Sequence, residues 1–462
     1  MAVASSTAIE RELRAVLGDE AVLPGDTRQY LTDATESRNL RGRADAIALP
    51  RDAHGVAQTV AWCYEHDVPI VPRGGGSGLA GGAVPVDGGV VVSLERLNGP
   101  PRLEPELWRA WVPAGVTTAE LRRRARENGL LYPPDPGAAE QSQLGGNIAT
   151  NAGGPHTFKY GVTGRWVTGL DLVLAPGEPV TVGGAVRKDV AGYDIRSLVV
   201  GSEGTLGIVT GAWIRLTPAP EEQLPVVAFF AGTDTGCEAL ATVMASGLLP
   251  AALEYLDEAT MAAAGRAFPG GAPDPPPFVL IAEADGSHDE ARRLRAELLE
   301  ALAPTALATH APEQRREIDE LWRWRSGVSL AVIAARNGKV SEDIAVPLDR
   351  MAEAIRATRE IGARHGLPAC SWGHAGDGNL HSTFMIDRDD PAETRAAEDA
   401  AQELFELAIA LGGTVSGEHG LGLVKRGALA RQWPAAAVEL HESIKRVFDP
   451  KGLLNPGKKL AR

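Results

Sequence analysis

The sequence is short of cysteine. It holds three, Cys63, Cys237 and Cys370, far apart and with no C-x-x-C pair among its 462 residues. That scarcity excludes an iron–sulfur cluster, a thiolate zinc motif and a disulfide framework, and it fits a reducing, cytosolic setting. Basic charge is also in deficit: 46 Lys and Arg stand against 60 Asp and Glu, for a formal net charge of −14. Nucleic acid is therefore not an expected partner, because binding it needs basic patches. Long apolar runs are missing too. The stretch Gly327 to Ala335 is far shorter than the roughly 20 residues a membrane span needs. Met1 to Ile9 lacks a basic segment followed by an apolar run, so no signal peptide is expected. The expected location is cytoplasmic, with any contact at the inner membrane face peripheral.

Glycine, by contrast, is plentiful, at 53 residues, and it is clustered. The first cluster is Pro72-Arg73-Gly74-Gly75-Gly76-Ser77-Gly78-Leu79-Ala80-Gly81-Gly82, preceded by a strand-like Val68 to Val71. Without Cβ atoms, successive amides can converge on one target, and such a concavity suits phosphate. Gly76-x-Gly78-x-x-Gly81 has the dinucleotide spacing of a Rossmann turn, which requires a helix opening at the third glycine. Gly82-Ala83-Val84-Pro85 and Asp87-Gly88-Gly89 follow instead, and no stable helix forms there. A second cluster runs from Pro133-Pro134-Asp135-Pro136-Gly137 through Leu144-Gly145-Gly146-Asn147-Ile148-Ala149-Thr150-Asn151-Ala152-Gly153-Gly154. A third is Gly201-Ser202-Glu203-Gly204-Thr205-Leu206-Gly207-Ile208. Three such clusters in one region point to a pyrophosphate-bearing cofactor rather than to plain surface loops.

The length exceeds one ordinary core, so two or three domains are expected. Helices are expected over Thr7 to Leu17, over Asp52 to His66 with Asp52 as N-cap, and over Thr118 to Asn128. The last has Thr117 and Glu120 at capping-box spacing and Gly129 as its stop. Pro218-Ala219-Pro220-Glu221-Glu222 reads as a linker. Beyond it, strand-like Val226 to Phe230 and Phe278 to Ala282 alternate with helical Thr235 to Ser246 and Asp289 to Leu302, an α+β pattern. Further helices are expected over 312–337, 347–365 and 391–411.

The second half carries a different chemistry. His374-Ala375-Gly376-Asp377-Gly378-Asn379-Leu380-His381 lies between two strand-like stretches. A hairpin there sets the imidazoles across from each other, near enough to share an ion. Gly417-Glu418-His419-Gly420 adds a carboxylate and another imidazole. Two His and one carboxylate suit a divalent metal with open positions, although loop histidines also simply cap backbone. Asp377 and Asn379 read as turn formers. Arg325, flanked by Trp322 and Trp324, can grip a carboxylate bidentately or can snorkel at the surface. Lys339, Glu342 and Asp343 fit a site or a solvated face equally.

Taken together, Arg73 to Gly78, Gly145 to Gly154, Lys188-Asp189-Val190-Ala191-Gly192-Tyr193-Asp194, Gly201 to Gly207, Gly373 to His381, Ser416 to Gly420 and Asn455-Pro456-Gly457-Lys458 resemble FAD-linked oxidases of the vanillyl-alcohol oxidase superfamily. The likeness is narrower to the group of glycolate oxidase flavoprotein subunits, D-lactate dehydrogenases and D-2-hydroxyglutarate dehydrogenases. It implies an α+β fold: an FAD-binding domain over 1–218, a substrate (cap) domain with a ferredoxin-like sheet over 219–445, and a tail, 446–462, that returns to the first. It implies non-covalent FAD, since the first glycine loop has no histidine. Arg73, Gly74, Gly75, Gly76, Ser77, Gly78, Gly145, Gly146, Asn147, Thr150, Asn151 and Gly153 would cradle its pyrophosphate. Pro134, Asp135, Glu203, Gly204, Ile208 and Asn455 would complete the cofactor site.

By the same resemblance, His374, His381 and Glu418 would bind a divalent metal such as zinc, manganese or iron. His419 would be the catalytic base and Arg325 would hold the substrate carboxylate. The implied reaction is oxidation of a D-2-hydroxy acid to the 2-oxo acid with hydride transfer to flavin. An imidazole, whose ordinary pKa is about 6.5, can take the hydroxyl proton near neutral pH. Electrons would leave to a separate acceptor, a protein, a quinone or oxygen, and a homodimer is compatible. The alternatives are a relay subunit of a glycolate oxidase-like complex, a D-2-hydroxyglutarate dehydrogenase, and a hydrolase using the His/Glu site without flavin.

Overall fold

The structure, a computed structural model, describes residues 6–38 and 40–460. It divides the chain into two compact units. The first runs to Gly153, resumes over Val162–Ala219 and resumes again from Glu418; the second comprises Gly154–Gly161 and Pro220–Gly417. The main segment of the second unit opens at Pro220, and the chain returns to the first at Glu418. The cause is local: the amides of Leu421 and Gly422 donate to the Glu203 carboxylate at 2.9 and 2.7 Å. Lys445 Nζ donates to Thr205 O at 2.7 Å.

In the first unit, a four-stranded sheet has the order β1 (Val22–Pro24), β2 (Ala46–Ala48), β4 (Val90–Ser93), β3 (Ile70–Arg73). β2 and β3 run parallel to β4, and all four residues of β4 are buried, as continuous apolar runs in parallel strands require. The helix Ala53–Glu65 supplies the crossover between β2 and β3, and Asp52 caps it by accepting from Gly55 N at 2.8 Å. A five-stranded antiparallel sheet follows, ordered β5 (Arg102–Glu104), β6 (Arg109–Pro113), β10 (Ile208–Arg215), β8 (Val167–Leu174), β9 (Glu178–Gly183). Short strands β7 (Leu130–Leu131) and β11 (Thr217–Pro218) pair with each other. Thr117 caps the helix Thr118–Glu127 as expected, whereas Glu120 turns to Arg123 and Arg124 instead of closing a capping box.

The second unit is one seven-stranded antiparallel sheet. Its first four strands are β12 (Glu222–Phe230), β13 (Ala252–Leu256), β14 (Phe278–Gly286) and β15 (Ala308–His310), ordered β15-β12-β14-β13, which is the ferredoxin-like order. β17 (Ala369–His374), β18 (Asn379–Ile386) and β16 (Gly338–Ala345) extend it from β13. The helix Arg315–Arg336 packs Leu321, Trp324, Val328 and Val332, at helical spacing, onto Leu256 and Trp372. Each such side chain contributes about 1.5–3 kcal/mol by burial. The helix Met351–Arg364 covers the other face, where Thr358 and Ser382 hydroxyls meet at 2.9 Å.

Candidate functional site

The glycine loop after β3 is held open by its neighbours. A Cβ on Gly75 would meet Gln141 O at 1.9 Å, and one on Gly74 would meet Gly146 Cα at 3.2 Å. Glycine thus lets the first and second clusters approach backbone to backbone. Among the described residues, no backbone carbonyl accepts from the amides of residues 74–78, which are half-buried. Neighbouring amides without acceptors in a partly buried loop form an anion-binding concavity, so these residues fit a pyrophosphate. The second cluster, read from sequence as open loop, contains the helix Leu144–Thr150.

Several side chains expected at the cofactor are engaged elsewhere. Arg73 is buried and donates to Thr32 O at 2.7 Å and to Gln29 O at 2.9 Å, so its guanidinium braces the loop from beneath. Asn147 Nδ2 donates to Thr118 Oγ1, Thr150 Oγ1 to Gly146 O, and Asn151 Oδ1 accepts from Gly164 N. Glu203 holds the 421–422 backbone, and a Cβ added to Gly204, at φ +72°, would meet Pro72 Cγ at 3.0 Å. Ile208 opens β10 and is buried; Pro134 is buried and Asp135 half-buried on the same turn. Asn455 Nδ2 donates to Gly82 O at 3.0 Å and to Glu203 O at 2.8 Å, tying the first and third glycine clusters together. Beside it lies Lys458, the last residue of the same motif. It donates to Val84 O at 2.7 Å, and burial pulls its pKa down to about 8. What remains for a ligand in this unit is chiefly backbone.

In the second unit the hairpin forms, with a correction. The register pairs His374 with Asn379 and His381 with Trp372, so the imidazoles are diagonal rather than opposite. Both still share one face, because residues two apart on a strand do. Their ring centroids are 5.2 Å apart at 85°, and both side chains are buried. Asn379 donates to Ile344 O at 2.9 Å, a turn-holding role. The strand-like segment ending this unit runs beside the hairpin. Thr414 bridges Ala345, Ser416 donates to Asp343, and a Cβ on Gly417 would meet the Asn379 amide at 2.3 Å. Glu418 is the next residue in the chain. Among the described residues, the group of three His, Cys, Asp or Glu side chains disposed to hold a metal ion is His374, His381 and Glu418. The His419 Nε2 lies 4.0 Å from the Glu418 carboxylate.

Sequence reasoning missed Glu254, on β13 directly opposite His374. It is fully buried; one oxygen accepts from His374 Nδ1 and the other from Arg325 Nη2, each at 2.5 Å. Arg325 is therefore not a snorkelling surface residue. It is 8% exposed, and its Nε has no hydrogen-bond partner among the described residues. One helical turn on, Ser329 Oγ accepts from Lys339 Nζ at 2.8 Å, and that ammonium sits 4.8 Å from the Trp372 ring centroid. Glu342 and Asp343 are buried, which removes the solvated-face reading. The available signal was a lone carboxylate in the apolar run Ala252-Leu253-Glu254-Tyr255-Leu256. The cysteines offer no reactive thiol: burial pushes Cys237 and Cys370 up to about 12 and Cys63 higher still.

Residues 44–194 match an FAD binding domain, and residues 219–459 match the C-terminal domain of FAD linked oxidases. The glycolate oxidase subunit of Bacillus subtilis is 37% identical, across 94% of this chain and 92% of that one. The D-2-hydroxyglutarate dehydrogenase of Xanthomonas citri is 36% identical across 94% and 93%, and the D-lactate dehydrogenase of Anaerostipes hadrus 32% across 90% and 90%. In fold, the 4-ethylphenol oxidase of Gulosibacter chungangensis superposes with a TM-score of 0.79 at 20% identity, covering 100% of this chain and 98% of that one. No helix among the described residues is long and apolar enough to cross a membrane. With an amide-lined loop that fits a pyrophosphate and both halves matched, the chain belongs to the FAD-linked oxidases and is an FAD-dependent oxidoreductase.

Proposed function

We propose that the chain oxidises a D-2-hydroxy acid, of the D-lactate or glycolate class, to the 2-oxo acid, with a divalent cation held by His374, His381 and Glu418. The observation that carries the reading is the buried diagonal imidazole pair with Arg325 one carboxylate away. A 2-hydroxy acid offers an adjacent carboxylate and hydroxyl, and a cation site beside a guanidinium answers both groups. The names of the relatives, a glycolate oxidase subunit, a D-lactate dehydrogenase and a D-2-hydroxyglutarate dehydrogenase, fall in one substrate class.

Bound FAD supplies the hydride acceptor. Arg325 retains an unengaged Nε–H for the substrate carboxylate, and Lys339, on β16, adds positive charge by donating to Ser329, one helical turn beyond Arg325. His419 takes the hydroxyl proton on a ring nitrogen. A divalent cation of zinc, manganese or iron type would suit this donor set of two imidazoles and one carboxylate. The chain has no cluster thiolates, so the electrons leave to a separate acceptor, and its likeness to a glycolate oxidase subunit favours membership of a multi-subunit oxidase as the second reading.

Anaerobic mixing with D-lactate, glycolate and D-2-hydroxyglutarate, followed by flavin absorbance, tests the proposal. Rapid bleaching by at least one acid, lost on chelation and restored by a divalent cation, is the expected result. Bleaching by none of them in cation-loaded protein would overturn it and leave the relay role. Bleaching indifferent to chelation would remove the cation from the proposal.

A further inference from the structure

The buried charges around β13 form a chain of three: His374, Glu254, Arg325. Glu254 is 0% exposed, and each of its oxygens has its own donor at 2.5 Å. A carboxylate this deep is stable only when its lone pairs are occupied by donors. A carboxylate can only accept, so the Nδ1 of His374 carries the proton and Nε2 keeps its lone pair. That is the tautomer a metal-binding imidazole needs, and a carboxylate behind it also raises the basicity of the ligating nitrogen. The second oxygen meanwhile fixes the guanidinium of Arg325, a side chain with several rotatable bonds on a helix rather than on the sheet. Cross-strand register sets the arrangement: Glu254 pairs with His374 between β13 and β17, and Tyr255 with Gly373, so the carboxylate cannot slip by one residue without leaving this face.

We propose that Glu254 is a positioning residue that couples the cation site to the substrate-carboxylate arm: one buried carboxylate holds the His374 ring in its ligating tautomer and aims Arg325. The inference rests on the reading of His374 and His381 as cation ligands. Glu254 itself touches neither the cation nor the substrate. Its neighbour Tyr255 provides a structural control, because its hydroxyl meets Ser371 Oγ at 2.6 Å without reaching His374 or Arg325.

The test measures Zn²⁺ and Mn²⁺ affinity of the FAD-loaded protein by chelator competition, without substrate. Glu254→Gln is expected to weaken cation binding about 10–100-fold, the usual cost of losing such a partner, and to raise KM for the hydroxy acid. Its FAD content should be unchanged. Glu254→Asp, which keeps the charge on a shorter arm, should fall between. Tyr255→Phe should lower the melting temperature and leave cation affinity alone. Wild-type affinity in Glu254→Gln would overturn the coupling while the cation reading stood. A wild-type protein that binds neither ion would overturn both. Histidine-selective ¹⁵N NMR of the cation-free wild type asks the same question without any variant: His374 protonated on Nδ1 is expected, and the Nε2-protonated tautomer would refute the proposal.

Discussion

In the first unit the groups left for a ligand are main-chain amides; in the second they are side chains. Arg73, Asn151, Glu203 and Asn455 face backbone partners and Asn147 faces the Thr118 hydroxyl, and around them the amides of residues 74–78 have no backbone acceptor among the described residues. Around β13 and the hairpin the roles are exchanged. There the backbone is a regular ladder, and imidazole, carboxylate and guanidinium side chains form the proposed site. The difference suits the ligands proposed for each. A pyrophosphate presents many equivalent oxygens, and convergent amides match it without the entropy of ordering long side chains. The proposed cation and small acid call for imidazole, carboxylate and guanidinium groups, which side chains provide.

That contrast can be broken at named positions. The largest expected effect is His419→Asn, a side chain of the first unit expected to act in chemistry. Flavin reduction in stopped flow should slow about 10²–10⁴-fold with FAD still bound. An unchanged rate would remove His419 as the base. Next is Gly75→Ala, whose Cβ would sit 1.9 Å from Gln141 O. FAD affinity should drop roughly tenfold or more, about 1.4 kcal/mol, whereas Gly82→Ala, with nothing within 4 Å, should bind normally. Equal FAD content in the two would mean that the amide loop is not the cradle.

Asn455→Ala removes two buried bonds that join the glycine clusters, and a loss of about 1–3 kcal/mol in unfolding free energy is expected. The smallest effects separate the units by pH. Asp257, buried at the start of the helix Glu258–Ala264, has its carboxyl raised to about 6 by burial. The folded state therefore holds this proton more tightly than the unfolded state, so stability falls as pH rises from about 4 to 6. Asp257→Asn should flatten that slope in thermal melts. Burial depresses Lys458 from its ordinary 10.5 to about 8, so its contribution to the FAD-free protein rises with pH between those values. Lys458→Met should abolish that rise. Melts of either variant with wild-type pH dependence would show that the group does not titrate as its burial implies.

The fold was largely legible because its signals are local. Asp52 and Thr117 mark helix starts, the linker near Pro218 marks a boundary, and glycine clusters mark the loops. His374 and His381 were legible as a pair because a hairpin is a short-range structure. Glu254 was not, since its partners lie 120 and 71 residues away and only strand register brings them together. The bracing of Arg73 was not legible either, since the carbonyls of Gln29 and Thr32 that it donates to lie 44 and 41 residues away.

The C-terminal segment has a consequence for synthesis. Asp449 accepts from the hydroxyl of Tyr64, and Leu454 bridges Ile70 at the edge of β3, contacts that span more than 380 residues of chain. The first unit is thus interrupted by the second and closed only after it. The strap that joins its glycine loops is made 373 residues after Gly82, the carbonyl that Asn455 holds. A cofactor that needs those loops in register must wait for that segment, and a truncation near residue 440 would spare the entire second unit while leaving the first without its closing contacts.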